Sequence, residues 1–321
     1  MTNKVNRQML ISMLAHMRPA YSTAEKAFCQ EFLEPIFGMP DVHGNYILIQ
    51  GITPDIMYTA HTDTVHTLGG IQKLKIENDF VSAVNSNCLG ADCTAGLWLM
   101  LSMIEAGVDG VYCAFAAEEL GGIGSTNLVI DNPDWLDNIN ACISFDRYGT
   151  NSIITHQAGI RTASDEFASS LAEVLDLSIL KPDSTGLYTD SCEFADIVPE
   201  CTNLSVGYDH HHTSLEKLDL HFIKILADRL CKADWSTLQV FRDPTLLEYQ
   251  SDALGYLSGS LRGHTLSSVT DDEQDDIYDL KLLMVDRPES VAKLLISYGL
   301  TAEALEDELG LDDNSVFSNY Y

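Results

Sequence analysis

Short apolar runs alternate with longer stretches of helical spacing along most of this chain. Residues 6–17 and 22–37 repeat apolar positions at helical intervals, and Ser22 and Glu25 have the spacing of a capping box. The runs Tyr46–Ile49, Ile56–Ala60, Val111–Ala116, Ala141–Phe145, Ser152–Thr155 and Asn203–Val206 read as strands. Thr94–Glu105, Ser164–Leu175 and Leu220–Lys232 read as helices. Such alternation predicts a three-layer α/β sandwich around a mixed, largely parallel central sheet. Near residue 240 the pattern changes. Residues 246–321 carry 16 acidic and 4 basic side chains, and 271–284, 288–298 and 301–309 have helical spacing. The expected organisation is a main domain over 1–240 and a small, acidic, mainly helical C-terminal extension over 241–321.

The polar residues at the end of each apolar run are more telling than the run itself. Ile56–Ala60 leads into His61-Thr62-Asp63, the run from Val111 into Glu118-Glu119, Ala141–Phe145 into Asp146, and the strand ending at Val206 into GYDHHHTSLE. Asp92 sits in LGADCTAG, a Gly-rich loop that opens the helix near Thr94. Ligands of open α/β sheets bind outside the carboxyl ends of the strands. Four strands and a loop therefore bring His and carboxylate groups to one edge. Buried carboxylates that close repel one another unless cations neutralise them. Two His and three carboxylates suit a pair of borderline divalent ions such as zinc, manganese or cobalt, with one carboxylate bridging.

Composition narrows the partners. The chain of 321 residues has 48 acidic against 18 basic side chains, a net charge of −30, with 45% hydrophobic residues. The apolar share is that of a folded protein. The charge repels nucleic acid and anionic membranes, so neither is expected as a partner. The first residues have no apolar core long enough for a signal peptide, no run reaches 18 apolar residues, and eight scattered cysteines, several within apolar runs, read as buried thiols of a reducing compartment. The expectation is a soluble cytoplasmic protein. Cys88 and Cys93 lack the spacing and the second pair of a structural zinc site.

The motifs STAEKAF, DVHGN, AHTDTV, GADCTAG, AAEELGGIGS, FDRYGT, TDSCEFADIVPECTNLSVGY and HTSLE occur in this order over residues 22 to about 235. Together they resemble the co-catalytic dinuclear zinc exopeptidases: zinc aminopeptidases with the related dipeptidases, carboxypeptidases and aminoacylases. The resemblance implies that family's fold, two divalent ions (zinc, with cobalt or manganese as alternatives), and hydrolysis of an amide bond. It implies His61 and Asp146 on one ion, Glu119 and His212 on the other, and Asp92 bridging. Glu118 becomes the general base and Asp63 the group that orients His61. His212 is preferred over His210 and His211 because HTSLE keeps the family's His-Thr-x-x-Glu spacing. Glu216 has two readings, orienting His212 or capping a helix with Thr213. His43 reads as a turn residue, and His66 and His156 as structural hydrogen-bonding groups.

Two departures matter. Cys93 stands where many relatives have Asp or Asn, and the resemblance implies a cis peptide between Asp92 and Cys93. Only 66 positions separate Asp146 from His212, too few for the inserted lid domain of carboxypeptidase-like relatives. The compact form favours an aminopeptidase, as does an acidic cleft suited to a free α-amino group. Two other classes stay open: a dipeptidase, carboxypeptidase or N-acyl amino acid amidohydrolase, and a non-enzymatic binding protein on the same fold. Holding a substrate carboxylate calls for Arg, and Arg147 is placed for it, with a structural ion pair as the competing reading. Asp190 is set down as a second candidate near the substrate, or as a buried hydrogen-bond anchor. The expected substrate is a small peptide or N-acyl amino acid. The acidic extension is left with covering the cleft, joining subunits of a homo-oligomer, recruiting a partner, or packing alone.

Overall fold

A computed structural model describes residues 5–246. The expected helices beyond residue 246 lie outside the described residues. The labelled strands are β1 (Tyr46–Gln50), β2 (Ile56–His61), β3 (Lys73–Glu77), β4 (Phe80–Val84), β5 (Gly110–Phe115), β6 (Ala141–Arg147), β7 (Ser152–Ile154), β8 (Lys181–Asp183), β9 (Glu200–Ser205), β10 (Tyr208–Asp209) and β11 (Lys217–Asp219). The helices are α1 (Arg7–Leu14), α2 (Thr23–Phe32), α3 (Ala91–Ala106), α4 (Ile123–Asp131), α5 (Asp165–Val174) and α6 (Leu220–Lys232), with a short turn of helix at Glu34–Phe37.

Seven strands form the main sheet in the order β8-β7-β9-β6-β2-β5-β1. The central four, β9, β6, β2 and β5, run parallel, and β1 closes one edge antiparallel. Every residue of β2, β5 and β9 is buried, as strands covered on both faces require. Alternate side chains divide between the faces. Tyr58, Ala60, Tyr112, Ala114, Ile143 and Phe145 join residues of α1, α3 and α6 in one apolar cluster. From the other face Phe115 stacks on Phe194 at 5.8 Å. The expected three-layer α/β sandwich with a mixed, largely parallel sheet is what the chain adopts.

α3 is apolar on nearly all sides and packs on β2 and β6, with Gly96 facing the Phe145 carbonyl where a Cβ would collide. α6 is amphipathic: Leu220, Phe222, Ile223, Leu226, Ala227 and Leu230 are buried, the Asp219 carboxylate accepts from the first-turn amides, and Arg229 and Lys232 sit in the last turn. Ser22 caps α2 by accepting from the Glu25 amide, but Glu25 itself turns away and accepts from the Tyr21 amide and the Thr62 hydroxyl. The stretch read as one helix over 22–37 breaks at Leu33, ahead of Pro35.

A second sheet, β10-β11-β4-β3, lies outside the apolar pattern. Its β3–β4 hairpin turns through Asn78 and Asp79, both left-handed, and β3 is largely exposed. Between Asp146 and Ser205 the chain adds β7, β8, α5 and β9 to the body of the domain; no inserted lid domain stands there. Residues just past the expected boundary at 240 are still held by this body. Phe241 and Arg242 donate backbone N–H to Glu200, and the Arg242 guanidinium donates to the carbonyls of Ala195 and Pro199. No described helix is long and apolar enough to cross a membrane.

Candidate metal centre

The carboxyl ends of the parallel strands converge as the sequence pattern requires. His61 is the last residue of β2, and Glu118-Glu119 follow β5 in a single 3-10 turn. Ala117, buried and left-handed at φ 58°, swings the chain into that turn. A left-handed alanine costs about 1–2 kcal/mol, and such conformations collect at functional sites. His212 is also left-handed, at φ 60°. Asp146 owes its position to a bulge. Ser144 lies opposite Asn203 and Arg147 opposite Ser205, so Phe145 and Asp146 together face Leu204 alone. A bulge re-aims side chains. Asp146 and Arg147, which a regular strand would send to opposite faces, line one cavity. The peptide between Asp92 and Cys93 is cis.

The side chains then meet at ligand distances. His61 Nε2 lies 3.0 Å from Asp92 Oδ1 and 3.5 Å from Asp146 Oδ1. His212 Nε2 lies 3.1 Å from Asp92 Oδ2 and 3.0 Å from Glu119 Oε1. Asp92 thus turns one oxygen to each imidazole. Two donors about 2.0–2.1 Å from one tetrahedral ion stand about 3.3 Å apart, so each imidazole is spaced from its two carboxylates as ligands of one ion are, and Asp92, Glu119 and His212 offer atoms all within 4.8 Å of one another. The charges point the same way. Burial, and next the field of Asp92, push the Asp146 carboxyl well above the usual range. Burial, then Asp146, Asp190 and Glu119, raise Glu118 well above it too, against the pull of His61. Burial would lower His212, yet its bonds to Asp92 and Glu119 raise it to about 10. Against its burial, bonds to His212 and His61 hold Asp92, alone in the cluster, well below the usual range. A cluster that raises its other carboxyls and draws protons onto an imidazole is short of positive charge, and divalent cations would supply it.

Around this centre stand groups that fix it. Asp63 Oδ1 accepts from His61 Nδ1 at 3.2 Å and from the Glu118 amide at 3.2 Å, while Oδ2 accepts from the Glu119 amide at 3.2 Å. Glu216 turns away from His212. Its carboxylate accepts from the backbone amides of Leu89, Gly90 and Ala91 at 2.7–3.0 Å, so it shapes the loop that presents Asp92. That departs from both readings of Glu216. Thr213 bonds the His210 carbonyl and the Leu215 amide instead.

Three supports went unread in the sequence. Thr189 donates to Asp146 Oδ2 at 2.8 Å, Tyr208 donates its hydroxyl to the Asp146 carbonyl at 2.9 Å, and Asn203 bonds both backbone groups of Asp146. Only Tyr208, two residues past a strand end, carried a local signal. Asp190 is buried and accepts from Ser125 Oγ at 2.6 Å; it is not among the residues lining the cavity. The anchor reading describes its place, and the substrate-contact reading of Asp190 does not. His43 pairs with Asp131 at 2.8 Å in its turn, and neither His66 nor His156 lines the cavity.

The cavity holds about 420 Å3 and is lined by Asp92, Glu118, Glu119, Asp146, Arg147 and His212, with Tyr188 and Leu187 among the walls. The Glu118 carboxylate makes no hydrogen bond or ion pair among the described residues and lines the cavity, within 4.8 Å of donor atoms of His61 and Glu119.

The fold is an α/β sandwich with a mixed, mostly parallel central sheet, and its strand ends carry a candidate metal centre. Solved structures share the fold: the aminopeptidase PepT of Bacillus cereus (15% identity, TM-score 0.54, covering 71% of this chain and 97% of that one) and the TET1 peptidase of Pyrococcus horikoshii (15%, 0.55, 69% and 98%). The aminopeptidase APDkam598 of the archaeon Desulfurococcus kamchatkensis is similar at 15% identity and TM-score 0.52, covering 81% and 98%. No curated protein gives a significant match. Residues 49–194, which carry His61, Asp63, Asp92, Glu118, Glu119 and Asp146, match the family model for Peptidase family M28. Over those residues the chain is similar to this peptidase family, and the solved structures share its fold.

Proposed function

We propose that the chain is a metal-dependent aminopeptidase, removing the N-terminal residue of a peptide with two divalent ions and Glu118 as general base. The observation that carries this reading is a pair of imidazoles, each 3.0–3.5 Å from two carboxylates with Asp92 common to both, beside an unbonded Glu118. His61, Asp146 and Asp92 would hold one ion, and Glu119, His212 and Asp92 the other. Imidazole and carboxylate donors suit zinc, with cobalt or manganese as substitutes. Bound there, such a pair supplies an acidified water and a polarised carbonyl.

The protein's own groups supply the rest. Asp63 fixes the His61 ring and, through two amides, the turn that carries Glu118 and Glu119. The 3-10 turn lets neighbouring carboxylates diverge, so that Glu119 meets His212 while Glu118 stays open to the cavity. Burial and then its acidic neighbours raise Glu118, and cations held at Asp92, Asp146 and Glu119 would offset that, so that the carboxylate could accept a proton. It takes that proton from the attacking water and returns it to the leaving amine. Acidic walls suit the substrate's α-ammonium. Eight free thiols support a reducing compartment, the cytoplasm.

The test is hydrolysis of matched peptides, one N-acetylated and one C-amidated, after loading with zinc, cobalt or manganese. Cleavage of the C-amidated peptide alone is expected. Glu118→Gln should keep its metal content and lose about 10²–10⁴-fold in turnover. Cleavage of the N-acetylated peptide alone would replace the reading with a carboxypeptidase or acylase. Full turnover in Glu118→Gln would remove Glu118 from the mechanism.

A further inference from the structure

Arg147 is the one Lys or Arg among the residues lining the cavity. It is 7% exposed, yet its charge is only partly answered. All its side-chain hydrogen bonds leave from Nη2: to Thr185 Oγ1 at 2.9 Å, to the Tyr148 hydroxyl at 3.3 Å and to Asp183 Oδ2 at 3.5 Å. Nε is buried with no partner. Asp183 is occupied elsewhere, accepting from Ser152 Oγ at 2.5 Å and from the amide and hydroxyl of Thr185 at 2.8 and 2.7 Å. The guanidinium also lies over the Tyr148 ring, 4.1 Å from its centroid, and that ring stacks on His211 at 5.4 Å. It is thus held in place from one side while much of its donor fork is unspent.

A guanidinium has five N–H donors in a planar fork that matches a carboxylate, and burying such a group without partners is costly. Of the carboxylates lining the cavity, Asp92, Asp146 and Glu119 turn to the imidazoles and Glu118 makes no ion pair with Arg147, whose ion pair is the long contact with Asp183 at 3.5 Å. A cation kept beside a metal centre, and not consumed by it, is suited to an anion that arrives with the substrate. We propose that Arg147 binds a carboxylate of the substrate, so that the preferred substrates are short anionic peptides whose carboxylate stays within the cavity. This rests on the exopeptidase reading above and adds to it that the far end of the substrate is recognised as well as its amine. A cavity of about 420 Å3 lies low in the range that encloses a small ligand, which matches a di- or tripeptide.

The experiment compares kcat/KM of the metal-loaded enzyme on Ala-Ala-Ala, on its C-terminal amide, and on Ala-Glu-Ala amide, with N-acetyl-Ala-Ala-Ala as a fourth substrate. The free acid is expected to exceed the plain amide by tenfold or more. That ratio should fall to near one in Arg147→Met and to an intermediate value in Arg147→Lys. Recovery with Ala-Glu-Ala amide would show that a side-chain carboxylate serves equally; no recovery assigns the site to the chain terminus. Equal rates on acid and amide in the wild type would overturn the proposal, as would a ratio preserved in Arg147→Met while both rates fall together. If Arg147→Met does not fold, Thr185→Val, which removes one of the clamp's bonds, must lower the same ratio. Cleavage confined to the N-acetylated peptide would defeat the aminopeptidase reading instead, which keeps the two failures apart.

Discussion

Two sets of carboxylates, far apart in sequence, gather at one edge of the main sheet, and they are treated in opposite ways. Asp63 and Glu216 are wrapped in donors: two backbone amides and an imidazole for the first, three backbone amides at 2.7–3.0 Å for the second. Asp92 and Glu119 turn their oxygens to imidazoles, and Asp146 turns one oxygen to His61 and the other to Thr189. A carboxylate saturated by amides is finished by folding itself. One that faces other carboxylates across a shared imidazole calls for a cation to complete it. The contrast separates groups that build the centre from groups that bind in it, although all are acidic and all stand close to strand ends.

Substitutions should divide along this line. The largest effect is expected at the shared inner carboxylate. Asp92→Asn should lose both ions and with them turnover, together with the rise in melting temperature that added zinc gives the wild-type protein. Metal content after dialysis and a thermal scan with and without zinc would check it; retention of both ions would break the division. Asp63→Asn should act at one remove, lowering metal affinity or activity by about 10–100-fold, as is usual for groups that orient a ligand. A chelator competition would measure it.

The smallest effect concerns a neighbour outside the centre. His66 is buried between Thr64 and Gln72, and burial above all lowers its pKa to about 4. In the unfolded chain it takes up a proton below about pH 6.5, whereas the folded protein resists until about 4. Its contribution to stability is therefore complete above about pH 6.5 and is lost as pH falls through that window. Urea midpoints of chelated protein at several pH values should fall less steeply toward acid for His66→Gln than for wild type. Equal slopes would show that His66 is already charged in the fold.

How far the sequence disclosed all this depended on the range over which each signal acts. β2, β5 and β6 were legible because strands covered on both faces must be continuously apolar, and the first polar residue after such a run marks the edge of the sheet. That logic led to His61, Glu118, Glu119 and Asp146, which the structure brings together with Asp92 and His212. The β3–β4 hairpin escaped because its charged, exposed face carries no apolar period, although Asn78-Asp79 is a turn signal in its own right. α4 escaped because it begins after two left-handed glycines without a capping side chain. Glu216 was misread because its partners are backbone amides more than 120 positions away. Nothing local in HTSLE records them. The bulge opposite Leu204 is likewise a property of two paired strands and of neither alone.

That bulge has a consequence for the geometry of recognition. By placing Asp146 and Arg147 in the same cavity, it sets the proposed metal ligand and the proposed carboxylate-binding cation one peptide unit apart, about 3.8 Å between Cα atoms. The interval between the bond to be cut and the substrate's far charge is then measured against the rigid middle of the sheet. A ruler built into paired strands keeps its graduation when the surrounding loops change, so the length of peptide accepted should be a more durable property of this protein than its preference among side chains.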